Sequence, residues 1–186
     1  SADKKVTVDM MSQAGVFNVA ANANGTLLEM PYTGGDLSLV ILLPQDQPGA
    51  LQKCLADGVL QTLLAQAAPK KTEVYLPKFK VAARYYLDHE KYLPALGMTD
   101  AFNPKAADFS GMTGYKNLFI AHVIHQAMME VDEAGSKAAA ATAVVMNTKS
   151  ASRPHVFRVD RPFIVALLYK PAHTILFLGR IQNPGA

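Results

Sequence analysis

The stretch from Ser136 to Val145, Ser-Lys-Ala-Ala-Ala-Ala-Thr-Ala-Val-Val, narrows the folding options of this chain more than any other. Alanine is the strongest helix former, so composition alone favours a helix over Ala138–Ala141. Two features oppose a permanent helix. No apolar stripe recurs every 3.6 residues. The second half, Thr142 to Val145, is mostly β-branched and prefers a strand. Read with period two, Ser136, Ala138, Ala140, Thr142 and Val144 fall on one face. Lys137, Ala139, Ala141, Ala143 and Val145 fall on the other. The first face carries no charge to desolvate. A strand of such small residues meets few steric barriers on entering an existing sheet. Gly135, just before the run, supplies backbone freedom for a hinge.

The rest of the chain supports a packed fold. Of its 186 residues, 50% are hydrophobic and 18% charged, enough for a core and against disorder. The length fits one domain, or two. The net charge is +3, and the basic residues are scattered, so nucleic-acid binding is not indicated. Cys54 is the single cysteine, which excludes an intramolecular disulfide. No apolar run approaches the roughly 20 residues of a membrane helix, so no membrane partner is expected. No signal peptide is visible at Ser1; the expectation is a mature, truncated or cytosolic chain.

In chain order, Val6–Met11 reads as a strand, Gly15 as a turn and Val16–Ala20 as a second strand. Asn22-Ala-Asn-Gly25 is a hairpin signal, its Asn-Gly pair favouring positive φ. Thr26–Tyr32 and Leu37–Leu43 are further strands, separated by Thr33-Gly-Gly-Asp36 and ended by Pro44, which makes an antiparallel meander. Leu51, Leu55, Val59 and Leu63 recur with a helical period, and Asp57-Gly58 divides them into two short helices. Thr72–Pro77 and Phe79–Ala83 read as strands. Asp88–Leu96 reads as a short helix with Gly97 as C-cap. Ala101–Tyr115 is loop. Leu118–Val131 is a long strand leading to Gly135. Val156–Val159, Phe163–Tyr169 and Thr174–Ile181 complete the strands.

Several residues invite chemical readings that their surroundings do not support. His122 and His125 lie three apart, which on a strand places them on opposite faces, with no acidic residue at ligand spacing. No metal and no cofactor is expected. Ser150, Ser152 and His155 have no nucleophile elbow or triad context around them, so the chain is not expected to be an enzyme. Cys54 reads as a small apolar filler in a packed helix.

Taken together, the segment resembles the hinge and reactive-centre loop of the serpins, the serine-protease-inhibitor family. The likeness rests on Glu130-Val-Asp-Glu-Ala-Gly135 followed by Ser136-Lys-Ala-Ala-Ala-Ala-Thr-Ala143. A second signature is Phe157-Arg-Val-Asp-Arg-Pro-Phe-Ile-Val-Ala-Leu167. Leu76-Pro-Lys-Phe79, Asp108-Phe-Ser-Gly-Met112 and Gly179-Arg-Ile-Gln-Asn-Pro184 also match. The resemblance covers essentially the whole chain and implies an α+β serpin fold, present as its C-terminal half. It implies an antiparallel, barrel-like B-sheet core, C-sheet strands, two strands of the central A sheet, few short helices and a mobile reactive-centre loop. The expected domain is 1–186, with the loop at about 135–155.

What the resemblance implies about activity is specific. The loop is bait for a serine protease, which cleaves it as a suicide substrate and forms a covalent acyl complex. The freed strand then inserts into the central sheet. About 15 inserted residues at ~3.3 Å each span roughly 50 Å. At ~1 kcal/mol per added hydrogen bond, plus burial, insertion releases on the order of 10 kcal/mol. The hinge comprises Glu133, Gly135, Ser136, Ala138, Ala139, Ala140, Ala141 and Thr142. The reactive bond falls at Lys149–Ser150, and Lys149 suits a trypsin-like specificity pocket. Asn147 and Thr148 fill neighbouring subsites; Met146, Thr148 and Arg153 are alternatives for the cut position. His125 corresponds to a buried histidine near the shutter, where the sheet opens. Ala134 and Lys137 stand where the family is often acidic; Lys137 is expected to face outward and be tolerated.

The implied partners are a trypsin-like serine protease and a complementary N-terminal serpin fragment. The implied setting is secreted, extracellular or periplasmic, with the cytoplasm left open. A non-inhibitory serpin-fold binding protein and an inactive truncated fragment are the competing readings.

Overall fold

The computed structural model describes residues 6–47, 49–55, 58–133 and 154–185. The chain forms two compact units: one built from the chain through Val81 and again from Glu130, the other Ala82–Met129.

The first unit is organised on a seven-stranded sheet. Strand β1 (Met10–Asn22) turns into β2 (Gly25–Pro31), and β2 into β3 (Leu37–Pro44). Helices α1 (Ala50–Leu55) and α2 (Val59–Gln66) follow, then β4 (Ala68–Pro77). Strand β5 (Phe79–Tyr86), the short helix α3 (Ser110–Thr113) and β6 (Ile124–Val131) come next. The chain closes with β7 (His155–Arg158), β8 (Phe163–Tyr169) and β9 (Thr174–Ile181). The sheet order is β7-β4-β1-β2-β3-β8-β9, while β5 and β6 pair in a separate two-stranded sheet. The expected meander is therefore present, as are the two short helices broken at Gly58.

The core explains the order. Leu37-Ser-Leu-Val-Ile-Leu-Leu is nearly continuous in apolar residues, the pattern of a strand covered on both faces. Accordingly β3 is buried at every position after Leu37. On one face, Leu27, Leu42, Ile164 and Ala166 pack against Cys54, Leu60 and Leu63 of the two helices. On the other, the row Leu28–Ile41–Val165 is fully buried. Phe163 meets Phe79 edge to face, with ring centroids 5.6 Å apart. Each such side chain removed from water contributes about 1.5–3 kcal/mol.

Four sequence expectations need correction. Gly15 is not a turn: β1 runs unbroken through it, because β4 supplies a ladder from Met10↔Pro77 to Val19↔Ala68, with Gly15 opposite Thr72. Strand structure does not begin at Val6 but at Met10. The Asp88–Leu96 helix is absent. That stretch is a series of turns ending in a 3-10 turn at Pro94–Leu96, since Pro94 removes a backbone donor and Leu96 has no surface to bury against. Gly97 does close it in the left-handed region, at φ 99°. The strand before the hinge is shorter than Leu118–Val131, beginning at Ile124.

The hairpin at Asn22–Gly25 forms, but not through positive φ at Asn24 or Gly25. The Asn22 Oδ1 accepts the Asn24 backbone N–H at 2.8 Å, an Asx turn. Gly25 is required for another reason: a Cβ there would lie 2.5 Å from the Leu43 carbonyl oxygen.

Candidate functional site

The bait segment predicted from the sequence is bounded by two described anchors. Residues 134–153 lie outside the described residues. The hinge residues Gly135, Ser136, Ala138, Ala139, Ala140, Ala141 and Thr142 therefore receive no placement. The same holds for Met146, Asn147, Thr148, Lys149, Ser150 and Arg153. Glu133 is the one hinge residue the structure places.

On the leading side, β6 ends at the buried Val131, and Glu133 follows. The Lys78 ammonium meets Glu133 Oε1 at 2.8 Å. Each charge favours the other. The hydrogen bond from Lys78, chiefly, holds the Glu133 carboxyl below the usual range, and the bond to Glu133 raises Lys78. A second ion pair, Lys80–Glu130 at 2.9 Å, lies just behind it. Both pairs are well exposed, so solvent screens them and they guide direction more than they stabilise. Alternation along Lys78-Phe-Lys80 places both lysines on one face while Phe79 turns into the core. Lys78 belongs to the Leu76-Pro-Lys-Phe79 motif, which by itself does not reveal this pairing. The available signal was the match of two alternating lysines to Glu130 and Glu133.

On the trailing side, β7 holds the chain to β4 in parallel, from Thr72↔His155 to Tyr75↔Arg158. Phe157 and Val159 are buried, and the Val159 N–H donates to the Tyr75 carbonyl at 2.8 Å. The Arg158 guanidinium lies over the Tyr75 ring at 4.1 Å, a cation–π contact. Arg161 Nε donates to the Pro44 carbonyl at 3.0 Å, tying the Arg-Pro-Phe signature to the end of β3. That signature is a structural fastening. His155 Nε2 is buried without a hydrogen-bond partner among the described residues. Burial, and then the charge of Lys70, push its pKa down.

The second unit contains His122 and His125. His125 is exposed and stacks on Tyr85, centroids 6.3 Å apart and planes 26° apart, whereas the resemblance implies a buried residue. His122 is not on a strand. Its Nδ1 lies 3.2 Å from Asp88 Oδ2, while Asp88 Oδ1 accepts the Val123 N–H at 3.0 Å. Those bonds, the backbone one first, hold Asp88 below its usual range. Among the described residues no group of three His, Cys, Asp or Glu is placed to hold a metal.

One buried polar group was missed altogether. Glu29 sits inside the first unit, accepting hydrogen bonds from Asn18 Nδ2 at 2.9 Å and Ser38 Oγ at 2.8 Å, with Lys170 Nζ 3.8 Å away. Its signal was a single acid within the apolar strand Leu27-Leu-Glu-Met.

A seven-stranded sheet of mostly antiparallel strands, a two-stranded sheet and a few short helices define a sheet-rich α+β class, and comparison makes the class specific. The family model "Serpin (serine protease inhibitor)" matches residues 1–184, so this chain belongs to the serpin family. Serpin B8 of Bos taurus is 37% identical over 97% of the chain and 50% of its own length. Leukocyte elastase inhibitor A of Rattus norvegicus is 38% identical over 90% of the chain and 46% of its own length. The crystal structure of native protease nexin-1 with heparin superposes with TM-score 0.85 at 30% identity, over 98% of this chain and 49% of that one. The chain thus spans about half the length of the curated relatives it matches. The serpin fold of its C-terminal half, expected from the sequence, is established. The names of these relatives specify no compartment, and the similarity gives no support to a secreted, extracellular or periplasmic setting.

Proposed function

We propose that the chain is the bait-bearing half of a serine-type endopeptidase inhibitor that acts as a suicide substrate. The observation that carries this reading is the anchoring of both ends of the small-residue run. The Glu133–Lys78 pair lies at one end and the parallel β7–β4 ladder at the other. Only the segment between them needs to move, and it is built of side chains that fit between strands.

Reactive-bond chemistry follows from the segment's residues. The protease serine Oγ attacks the Lys149 carbonyl carbon and loses its proton. The Lys149–Ser150 C–N bond breaks, Ser150 leaves as a free amine carrying a proton, and Lys149 is held as an ester. A basic side chain at Lys149 suits trypsin-like proteases, whose pocket presents a carboxylate. The hinge then carries the loop into the central sheet beside β6. The reading includes His125 as a shutter residue, completed by partners outside this chain. The reactive-loop domain is taken as 1–186.

The test is incubation of the chain, completed with the half its relatives carry, with a trypsin-like protease. An SDS-stable covalent complex is expected, lost on Lys149→Asp. Simple digestion, with the protease released active, would falsify the reading. A second reading has a specific observation in its favour. Strand β6 is exposed at five of its eight positions and pairs with β5 among the described residues, so a loop inserted beside it in the 186-residue chain alone has a neighbour on one side only. On that reading the isolated half does not inhibit, and only the completed protein forms the complex.

A further inference from the structure

Charge is unevenly placed in this chain. Over residues 134–159 the sequence carries Lys137, Lys149, Arg153 and Arg158 and no acid. The strands that fasten the trailing end of that stretch continue the bias. Strands β1, β4 and β7 lie side by side and hold Lys70, Lys71 and Arg158 against one acid, Glu73. All three cations are exposed, whereas Glu73 is half-buried, its Oε2 lying 3.5 Å from the Tyr75 hydroxyl. Among the described residues the ion pairs of the first unit lie elsewhere, at Lys78–Glu133, Lys80–Glu130, Asp160–Arg161 and Lys170–Glu29. Like charges gathered this way repel one another, a cost to the folded state that an acidic partner would remove.

The strip sits where the bait rejoins the sheet. His155 opens β7 opposite Thr72, one residue beyond Lys71. Alternation along β4 sends Lys70 and Lys71 to opposite faces, so the two flank that end of the strand. Arg158 is held over the Tyr75 ring further along. Ser150 precedes His155 by five residues, at most about 17 Å of extended chain. A protease domain of about 200 residues has a radius of gyration of roughly 16 Å, so it is wider than this tether is long. A protease holding the Lys149–Ser150 bond therefore has the rim of its cleft close to the ends of β4 and β7.

Resting on the reading of this chain as the bait-bearing half of an inhibitor, we propose that Lys70, Lys71 and Arg158 form a second contact for the protease. The strip selects trypsin-like enzymes with an acidic rim on the side of the cleft that receives Ser150 and the residues after it. The specificity pocket reads Lys149, and the strip separates enzymes that share that pocket. Charges at the rim of an interface act chiefly on the association rate and its salt dependence. The position of the strip beside the bait chooses a protease over a free polyanion such as heparin.

The experiment measures association of the unmodified chain with two trypsins, one anionic and one cationic. Each has its catalytic serine replaced by alanine, so that the bait is bound and not cut. The anionic enzyme is expected to associate at least tenfold faster at about 20 mM salt, and the gap to close toward about 500 mM. Lys70→Glu with Lys71→Glu should slow the anionic enzyme at least fivefold and leave its dissociation within twofold. Lys70→Gln with Lys71→Gln keeps the side chains long and removes only charge, so a smaller slowing is expected. The charge-matched Lys53→Glu with Lys105→Glu should change the rate less than twofold. The proposal is overturned if the changes at Lys53 and Lys105 slow association as much as those at Lys70 and Lys71. Loss of heparin binding on Lys70→Glu with Lys71→Glu, with trypsin association unmoved, also overturns it. Lys149→Ala should abolish binding of both enzymes. Equal association of the two trypsins that depends on Lys149 sinks the strip and leaves the bait reading standing, whereas no binding by either enzyme sinks both.

Discussion

Strands β3 and β6 are both eight residues long, yet their circumstances are opposite. Strand β3 lies between β2 and β8 and is covered on both faces. Strand β6, Ile-His-Gln-Ala-Met-Met-Glu-Val, has β5 as its one partner among the described residues and is buried only at Val131. Met128 is 59% exposed, while Ile41 is wholly buried. The strands differ in chemistry, since β6 carries His125, Gln126 and Glu130 and β3 carries no charge, and they differ in the layers packed on them among the described residues. One region is a finished core. The other presents a pair of strands with large apolar side chains facing water, including Tyr85, Tyr86 and Ile124.

The comparison breaks most decisively at the centre of the sheet. Ile41→Ala is expected to cost about 2–5 kcal/mol, because the truncated site leaves a cavity among residues that cannot close it. Met128→Ala should cost less than about 0.5 kcal/mol, since little contact is lost. Urea unfolding of the two variants checks this, and equal costs would remove the distinction between the regions.

A smaller effect probes the buried acid that the finished core contains. Ser38→Ala removes one of the two hydrogen bonds to Glu29 and should cost about 1–2 kcal/mol. The double variant Ser38→Ala with Glu29→Leu should recover part of that loss, because no unpaired carboxylate then stays inside. A double variant less stable than the single one would show that Glu29 has support beyond Asn18, Ser38 and Lys170.

The smallest effect is a pH slope at the β7 edge of the sheet. The folded pKa of His155 lies below the usual 6.5, first through desolvation and then through Lys70. Below 6.5 the unfolded ring takes up a proton that the folded ring resists. Its contribution is therefore complete above that value and is lost as pH falls toward the folded pKa. His155→Gln should flatten this part of the stability profile, as read from denaturant midpoints across the acidic range. An unchanged slope would mean the ring is solvated in the folded chain.

Much of this protein could be read from residues alone, for local reasons. The Leu37–Leu43 run needs cover on both faces, Asn22–Gly25 can hardly avoid a turn, and Gly58 breaks a helical period. The motifs around Glu133 and Arg161 carried the family because each holds several residue types in fixed order. Only tertiary structure could decide the rest. Gly15 looks like a turn until β4 lies beside it, and Asp88–Leu96 looks like a helix until no surface appears for its apolar side to bury against. The pairing of Lys78 with Glu133 joins residues far apart in the chain, and the nearness of Lys70 and Lys71 to His155 depends on β7 lying beside β4. Backbone preference acts over a few residues and is written in them. Burial and charge pairing depend on neighbours brought from elsewhere, and those neighbours are known only once the chain has folded.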